Sequence, residues 1–202
     1  MFEAAVATIR ECVGEAARQN ANLRGSNLSG SDLRYSNLRH SNLSYSNLRY
    51  SDLRHSNLRD SNLRHSNLRH SNLSDSDLSH SNLSGSDLSG SNLRHSNLSY
   101  SDLSGSNLSD SDLSHSNLSY SDLHDITVNW NSHELLAEIL RQKAGENTAK
   151  RKIAGLVLVS HDWCWDKFLR LRDPTKLWAL GVLRRYVKEG DGAPEILRKQ
   201  KW

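Results

Sequence analysis

The chain has 202 residues, a formal net charge of +3, 24% charged residues and only 6% aromatic residues. No apolar run approaches the length of a membrane span, and the first residues lack the pattern of a secretory leader, so a water-soluble protein is expected. Two cysteines, Cys12 and Cys164, lie on opposite sides of a long Ser-rich tract, which argues against a disulfide and for a reducing, cytoplasmic compartment.

Residues 2–18 read as an amphipathic helix, with Phe2, Val6, Ile9, Val13 and Ala16 on one face. Glu3 near its start and Arg18 near its end suit the helix dipole. Its expected role is to cover the open end of the Ser-rich tract. A helix that binds a partner is the alternative.

Residues 21–125 are one five-residue word written 21 times without a slip in register. Leucine stands third in every word, Asn or Asp second, Arg or Ser fourth except at His124, and Ser first except at Ala21. The fifth position varies among Gly, Tyr, His and Asp. A period of five makes no stripe on an α-helix and no single face on a flat strand. One apolar face survives if the chain turns once per word, and four corners close a 20-residue coil. Stacking such coils about 4.8 Å apart gives a rod about 25 Å long. Residues 20 apart become neighbours, so Leu23, Leu43, Leu63, Leu83, Leu103 and Leu123 form one core column. Disorder, the other reading of a Ser-rich tract, gives no reason for an unbroken leucine column.

Words such as Ser26-Asn27-Leu28-Ser29-Gly30 and Ser51-Asp52-Leu53-Arg54-His55 resemble the A(D/N)LXX motif of the pentapeptide-repeat family across all of 21–125. The resemblance implies a β-solenoid: a right-handed quadrilateral β-helix of about five coils, with the leucine and the small first residue pointing inward. The small residue is Ser in 20 of 21 words, where the family usually has Ala. Each buried hydroxyl therefore needs an acceptor, and a neighbouring carbonyl or the Ser one coil away would serve. Some family members are similar to duplex DNA in shape and charge and interact with gyrase.

Charge is uneven along the tract: +5 over 21–70 and −7 over 71–125, followed by +6 over 126–202. The coil geometry stacks Arg34 with Arg54, Arg39 with Arg59 and Arg49 with Arg69, a candidate basic surface unless nearby Asp neutralises it. Two corner columns, Tyr35-His55-Asp75-His95-His115 and His40-Asp60-His80-Tyr100-Tyr120, are mostly aromatic and imidazole, and two shorter ones begin Tyr45-His65 and Tyr50-His70. None has the four-ligand spacing of a zinc site. Asn/Asp, Arg/Ser, Tyr/His/Asp and Asp/Gly each differ by a single base, so the columns equally fit drift in a duplicated or engineered tract.

After Asp125 the composition changes. Ile126 to Trp130 closes the last coil, and helices are expected near 132–143 (capped by Asn131, with Leu135, Leu136, Ile139 and Leu140 inward and Gly145 at its end), 148–159, 160–171 and 174–188. The segment 148–159 also reads as a strand. All five tryptophans lie in 126–202; Trp163, Trp165, Trp178 and Trp202 are candidate interface residues for a homodimer or protein partner, or else the core of a helical cap. His161, Asp162 and Cys164 cluster, but no base or second ligand pair accompanies them. No phosphate loop or dinucleotide fingerprint is present, so no enzyme, cofactor, metal or small-molecule substrate is expected. The chain divides into a capping helix (1–20), a repeat solenoid (21–125) and a Trp-rich helical segment (126–202). Three roles remain open: a non-enzymatic scaffold that binds proteins, a DNA-mimicking regulator of a type II topoisomerase, and a salt-dependent nucleic-acid binder.

Overall fold

A computed structural model describes residues 8–19, 21–159 and 165–198. The repeat tract is a β-solenoid with a 20-residue turn. Eighteen parallel bridges join the second residue of each word to its counterpart 20 residues on, from Asn22–Asn42 to Asn107–Thr127. Each word contributes one bridging residue, not an extended strand, because the chain turns again before a second residue pairs.

The five residue types follow from where the five backbone N–H groups go. The first N–H closes the corner on the leucine carbonyl three residues before, as in Ser51 to Leu48 at 3.1 Å. The second donates to the coil before (Asp52 to Ser31, 2.9 Å), and the third and fifth donate to the coil after (Leu53 to Asn72, 2.7 Å; His55 to Ser74, 3.1 Å). The fourth has no backbone acceptor. In all 21 words it donates to the Oδ1 of the Asn or Asp two residues before. The second position therefore requires a short side chain with an oxygen, and Asn and Asp serve equally.

The fifth residue is left-handed in every word, with φ from 54° to 60° at the 16 non-glycine positions. A left-handed third residue is what a turn of this hand requires. Gly adopts it freely, and Asp and His tolerate it better than most. The set Gly, Tyr, His and Asp, without one β-branched residue, is a backbone constraint and not free variation.

Leu33 to Leu108 are fully buried, while Leu23, at the open end, is only partly so. In the column beginning there, Leu43, Leu63, Leu83 and Leu103 are fully buried and Leu123 is 2% exposed. All the first-position serines but Ser26 and Ser116 are buried as well, and the usual acceptor is the neighbouring carbonyl: Ser41 Oγ donates to the Leu38 carbonyl at 2.6 Å, and Ser46 Oγ to Leu43 at 2.6 Å. The hydroxyls of Ser26, Ser36, Ser66 and Ser106 have no partner.

Helix α1 spans Ile9–Arg18 and begins in a capping box between Thr8 and Glu11, and Glu3 lies outside the described residues. Phe2 and Val6 lie outside the described residues. Val13 and Ala17 face the solenoid core, whereas Ile9, expected on that face, is 47% exposed. Arg10 ties the helix to the solenoid through Asp32 at 3.1 Å.

At the other end Ile126, Val128 and Trp130 are buried, and α2 follows at His133–Ala144. Its cap is Ser132, whose hydroxyl accepts the Leu135 N–H; Asn131 stands one residue too early. Leu135, Leu136, Ile139 and Leu140 are fully buried, and Gly145 ends the helix with φ 53°. The segment that also read as a strand is helix α3, Thr148–Val159, packed on α2. Helices α4 (Trp165–Leu169) and α5 (Thr175–Leu183) follow. A 3-10 turn replaces the end of the expected fourth helix at Arg184–Tyr186, and α6 is one short turn at Glu195–Arg198. Asp173 accepts the Thr175 N–H at the start of α5.

The solenoid's last edge is held by side chains from this helical segment. The Glu134 carboxylate accepts the His115 N–H at 3.0 Å, Gln142 donates to the Ser121 carbonyl, and Lys188 donates to the Asp125 carbonyl. The first two replace partners that a further coil would have provided, while Lys188 adds a donor to a fifth-position carbonyl that no coil engages.

Candidate interaction surface

With the serine and leucine inward and Asn or Asp held against the backbone, the fourth and fifth residues make most of the outer surface. Four words per turn define four faces, counted from the word at Ala21. The corner columns are ring ladders at the distance between coils. Tyr35 stacks on His55 at 5.0 Å and 8°, and Tyr50 on His70 at 5.3 Å and 12°. His80, Tyr100 and Tyr120 form a continuous stack at 5.0 Å, which the Arg141 guanidinium of α2 continues, 5.1 Å from the Tyr120 ring centre. His95 stacks on His115 at 5.0 Å.

Of the six arginines of the candidate basic surface, the structure ion-pairs four on the third and fourth faces. Arg34 holds Asp32 at 2.8 Å and reaches Asp52 at 3.7 Å, and Arg54 holds Asp52 at 2.7 Å. Arg39 and Arg59 share Asp60 at 3.2 and 3.5 Å. Hydrogen bonds from Arg34 hold the Asp32 carboxyl well below the usual carboxylate range, and those from Arg54 lower Asp52. The remaining two, Arg49 and Arg69, lie on the second face. Arg49 leans on Tyr50, and Arg69 reaches a carboxylate, Asp87, only at 3.7 Å. Arg24 and Arg64 on the first face belong with them: Arg24 lies over Tyr45 at 4.8 Å, and neither makes an ion pair among the described residues. Sequence columns alone missed this division, because it depends on which Asp falls in the same column or at the adjoining corner.

Trp165 and Trp178 of the candidate interface are each half-buried. Trp165 packs on Trp130 and Phe168, and Trp178 carries Lys150 over its ring at 5.1 Å. Trp163 and Trp202, like His161, Asp162 and Cys164, lie outside the described residues. Leu158 and Leu177 are about half exposed. A cleft of about 420 Å³ between the last words and α2–α3 is lined by Tyr120, Glu138, Arg141, Arg151 and Leu158. Its cations are already paired, Arg141 with Glu138 at 2.6 Å and Arg151 with Glu146 at 2.8 Å. Among the described residues no helix is long and apolar enough to cross a membrane, and no group of His, Cys, Asp and Glu is placed to hold a metal ion.

The 20-residue turn and inward leucine columns define a repeat β-solenoid. The family model described as Pentapeptide repeats (8 copies) matches residues 21–60, 56–94 and 91–127, and the chain belongs to that family. A pentapeptide repeat protein (Rfr23) from the cyanobacterium Cyanothece 51142 is 27% identical, with 51% of this chain and 84% of that one covered and a TM-score of 0.50. A pentapeptide repeat protein from the thylakoid lumen of Arabidopsis thaliana is 23% identical, with 62% and 79% covered and a TM-score of 0.42. QnrB1, a plasmid-mediated fluoroquinolone resistance protein, is 20% identical, with 50% and 74% covered and a TM-score of 0.22. No curated protein matches the chain in sequence.

Proposed function

We propose that the chain is a non-enzymatic scaffold that presents its outer columns to a protein partner in the cytoplasm. In this reading residues 21–125 are a right-handed quadrilateral rod of about five coils, capped by the helix of 1–20 and by the helical segment 126–202. The supporting observation is the use made of the polar side chains. Most first-position serine hydroxyls donate to leucine carbonyls, and the Asn or Asp oxygens accept the fourth N–H. Groups held this way brace a frame and are not available as nucleophiles or bases. The ring ladder His80-Tyr100-Tyr120-Arg141 and half-buried Trp178 are the contact points of choice, since rigid aromatic groups dominate interface energies.

The test is site-specific photocrosslinking from Tyr35, Tyr100 and Trp178 of the intact chain in cell extract. One discrete adduct from a subset of positions is expected. No discrete adduct from any of them would overturn the reading. A duplex-like acidic surface is disfavoured by the arginine ladder on the third face, and no effect on gyrase supercoiling is expected at micromolar protein.

A further inference from the structure

The first two faces differ from the other two in how their charges are arranged. Over residues 21–70 they carry Arg24, Arg49, Arg64 and Arg69 and no carboxylate. Over residues 71–125 they carry Asp87, Asp102, Asp110, Asp122 and Asp125 and no arginine. The two zones touch at one place, Arg69 and Asp87, 3.7 Å apart. Arg24, Arg64, Arg69, Asp110, Asp122 and Asp125 are exposed. Lys188 reaches the Asp125 backbone carbonyl, and Asp125 itself keeps 78% of its side-chain surface. On the third and fourth faces opposite charges are interleaved and paired within the molecule. On the first two they are separated along the rod.

The same strip also carries the smallest corner residues. All five glycines of the words (Gly25, Gly30, Gly85, Gly90 and Gly105) lie in its two corner columns. The His65 and His70 rings lie down over Gly85 and Gly90, so close that a Cβ at either glycine would meet an imidazole nitrogen at about 2.5 Å or less. Gly105 is bare, and a Cβ there would meet only the Gly85 backbone at 3.9 Å.

We infer that this strip is a self-complementary surface that pairs two copies of the chain antiparallel. A two-fold axis across the strip between His65 and Gly85 makes the interface isologous. The corner column reads Gly25, Tyr45, His65, Gly85, Gly105, Asp125. Reversed against itself, it sets Tyr45, 52% exposed, opposite the bare Gly105 of the other copy. Arg24 then comes to the Asp122 and Asp125 end, Asp110 beside Arg49, and Asp87 between Arg49 and Arg69. A parallel pairing would set like charges together and is excluded by the same arrangement. The strip is about 25 Å long by strand spacing. One such strip falls short of the roughly 800 Å² per partner of a standard stable interface. The pair is therefore weak and depends on charge. It does not rest on the scaffold role, which a monomer serves equally well.

The experiment is sedimentation equilibrium on the full chain from about 50 mM to about 500 mM salt, a range over which exposed charge pairs are increasingly screened. A dimer at low salt that dissociates at high salt is expected. The double variants R24E/R49E and D110K/D125K, which reverse the two members of the same facing pairs, are each expected to be monomeric at low salt and, when mixed, to form a one-to-one pair. Circular dichroism melts confirm that each variant is folded. A monomer at all salts, a dimer indifferent to salt, or folded variants that fail to pair on mixing would each overturn the inference. A salt-resistant dimer would locate the contact on the apolar helical segment instead.

Discussion

Tyr100 tests whether the fifth position is governed by backbone handedness. Its φ is 58°, it is 55% exposed, and its ring stacks between His80 and Tyr120 at 5.0 Å on each side. Tyr100→Gly loses two exposed ring contacts, each at the low end of about 0.5–1.5 kcal/mol. It relieves a left-handed backbone worth roughly 1–2 kcal/mol, while raising the entropy of the unfolded chain by up to about 1 kcal/mol. The net loss is about 0–1 kcal/mol. Tyr100→Val loses the same contacts, gains no relief, and places a β-branched residue where it is least tolerated. It is expected to cost about 2–3 kcal/mol. At about 2–4 °C per kcal/mol for a chain of this size, Gly lowers the melting temperature by about 0–4 °C and Val by about 4–12 °C. Thermal melts followed by circular dichroism read both. Equal melting temperatures for the two variants, or a larger loss for Gly, would refute the handedness argument.

The interior and the ion ladder give three further expected outcomes. Ser61→Ala removes a hydroxyl bonded to the Leu58 carbonyl and should cost about 1 kcal/mol, whereas Ser66→Ala removes an unpartnered one and should be neutral or stabilising; urea midpoints of opposite or equal sign decide it. Leu63→Ala empties a fully buried site and should cost about 2–5 kcal/mol in the same assay, with a smaller loss showing that the coil collapses around the gap. The Asp32 and Asp52 carboxyls are lowered by Arg34 and Arg54, so their contribution is complete above the unfolded aspartate value near about 3.9 and is lost as pH falls through the lower folded values. Wild type should lose stability below that point more steeply than Asp52→Asn, and parallel pH curves would count against the ladder.

The repeat was legible because its leucine column has one geometric solution. The inward serine and its carbonyl acceptor also followed from the pattern, since a buried hydroxyl must be paired. The reason for Asn or Asp at the second position was not legible, because it depends on which N–H the coil leaves without a partner. Nor was the left-handed fifth residue, although the absence of Val, Ile and Thr from 21 positions was a signal available in the sequence. In the helical segment, Leu135, Leu136, Ile139 and Leu140 announced α2, but the cap moved from Asn131 to Ser132 because the preceding turn fixes where the helix begins. The arginine columns misled for a different reason. Charge summed along the chain says nothing about which faces bring opposite charges together, and Arg34 and Arg49 differ only in the carboxylates that the coil sets beside them.

That difference bears on whether the columns record drift or selection. Single-base changes among Tyr, His, Asp and Gly supply variation at every fifth codon, and the left-handed backbone filters it. What passes the filter would scatter over all four corners. The five glycines instead occupy two adjacent corners, and the Tyr residues at the fifth position each pack on a ring one coil away, stacked except for the tilted Tyr45–His65 pair. A bulky left-handed residue is tolerated more readily when its ring is packed on a neighbour, so ladders stabilise themselves once a first ring is in place. Backbone tolerance and stacking account for the aromatic columns without a binding partner. They do not account for four arginines and five aspartates sorted to opposite ends of two faces, since neither the turn nor the ladder distinguishes the two ends of the rod. The axial order of charge is therefore the feature of this surface that calls for an explanation outside the fold.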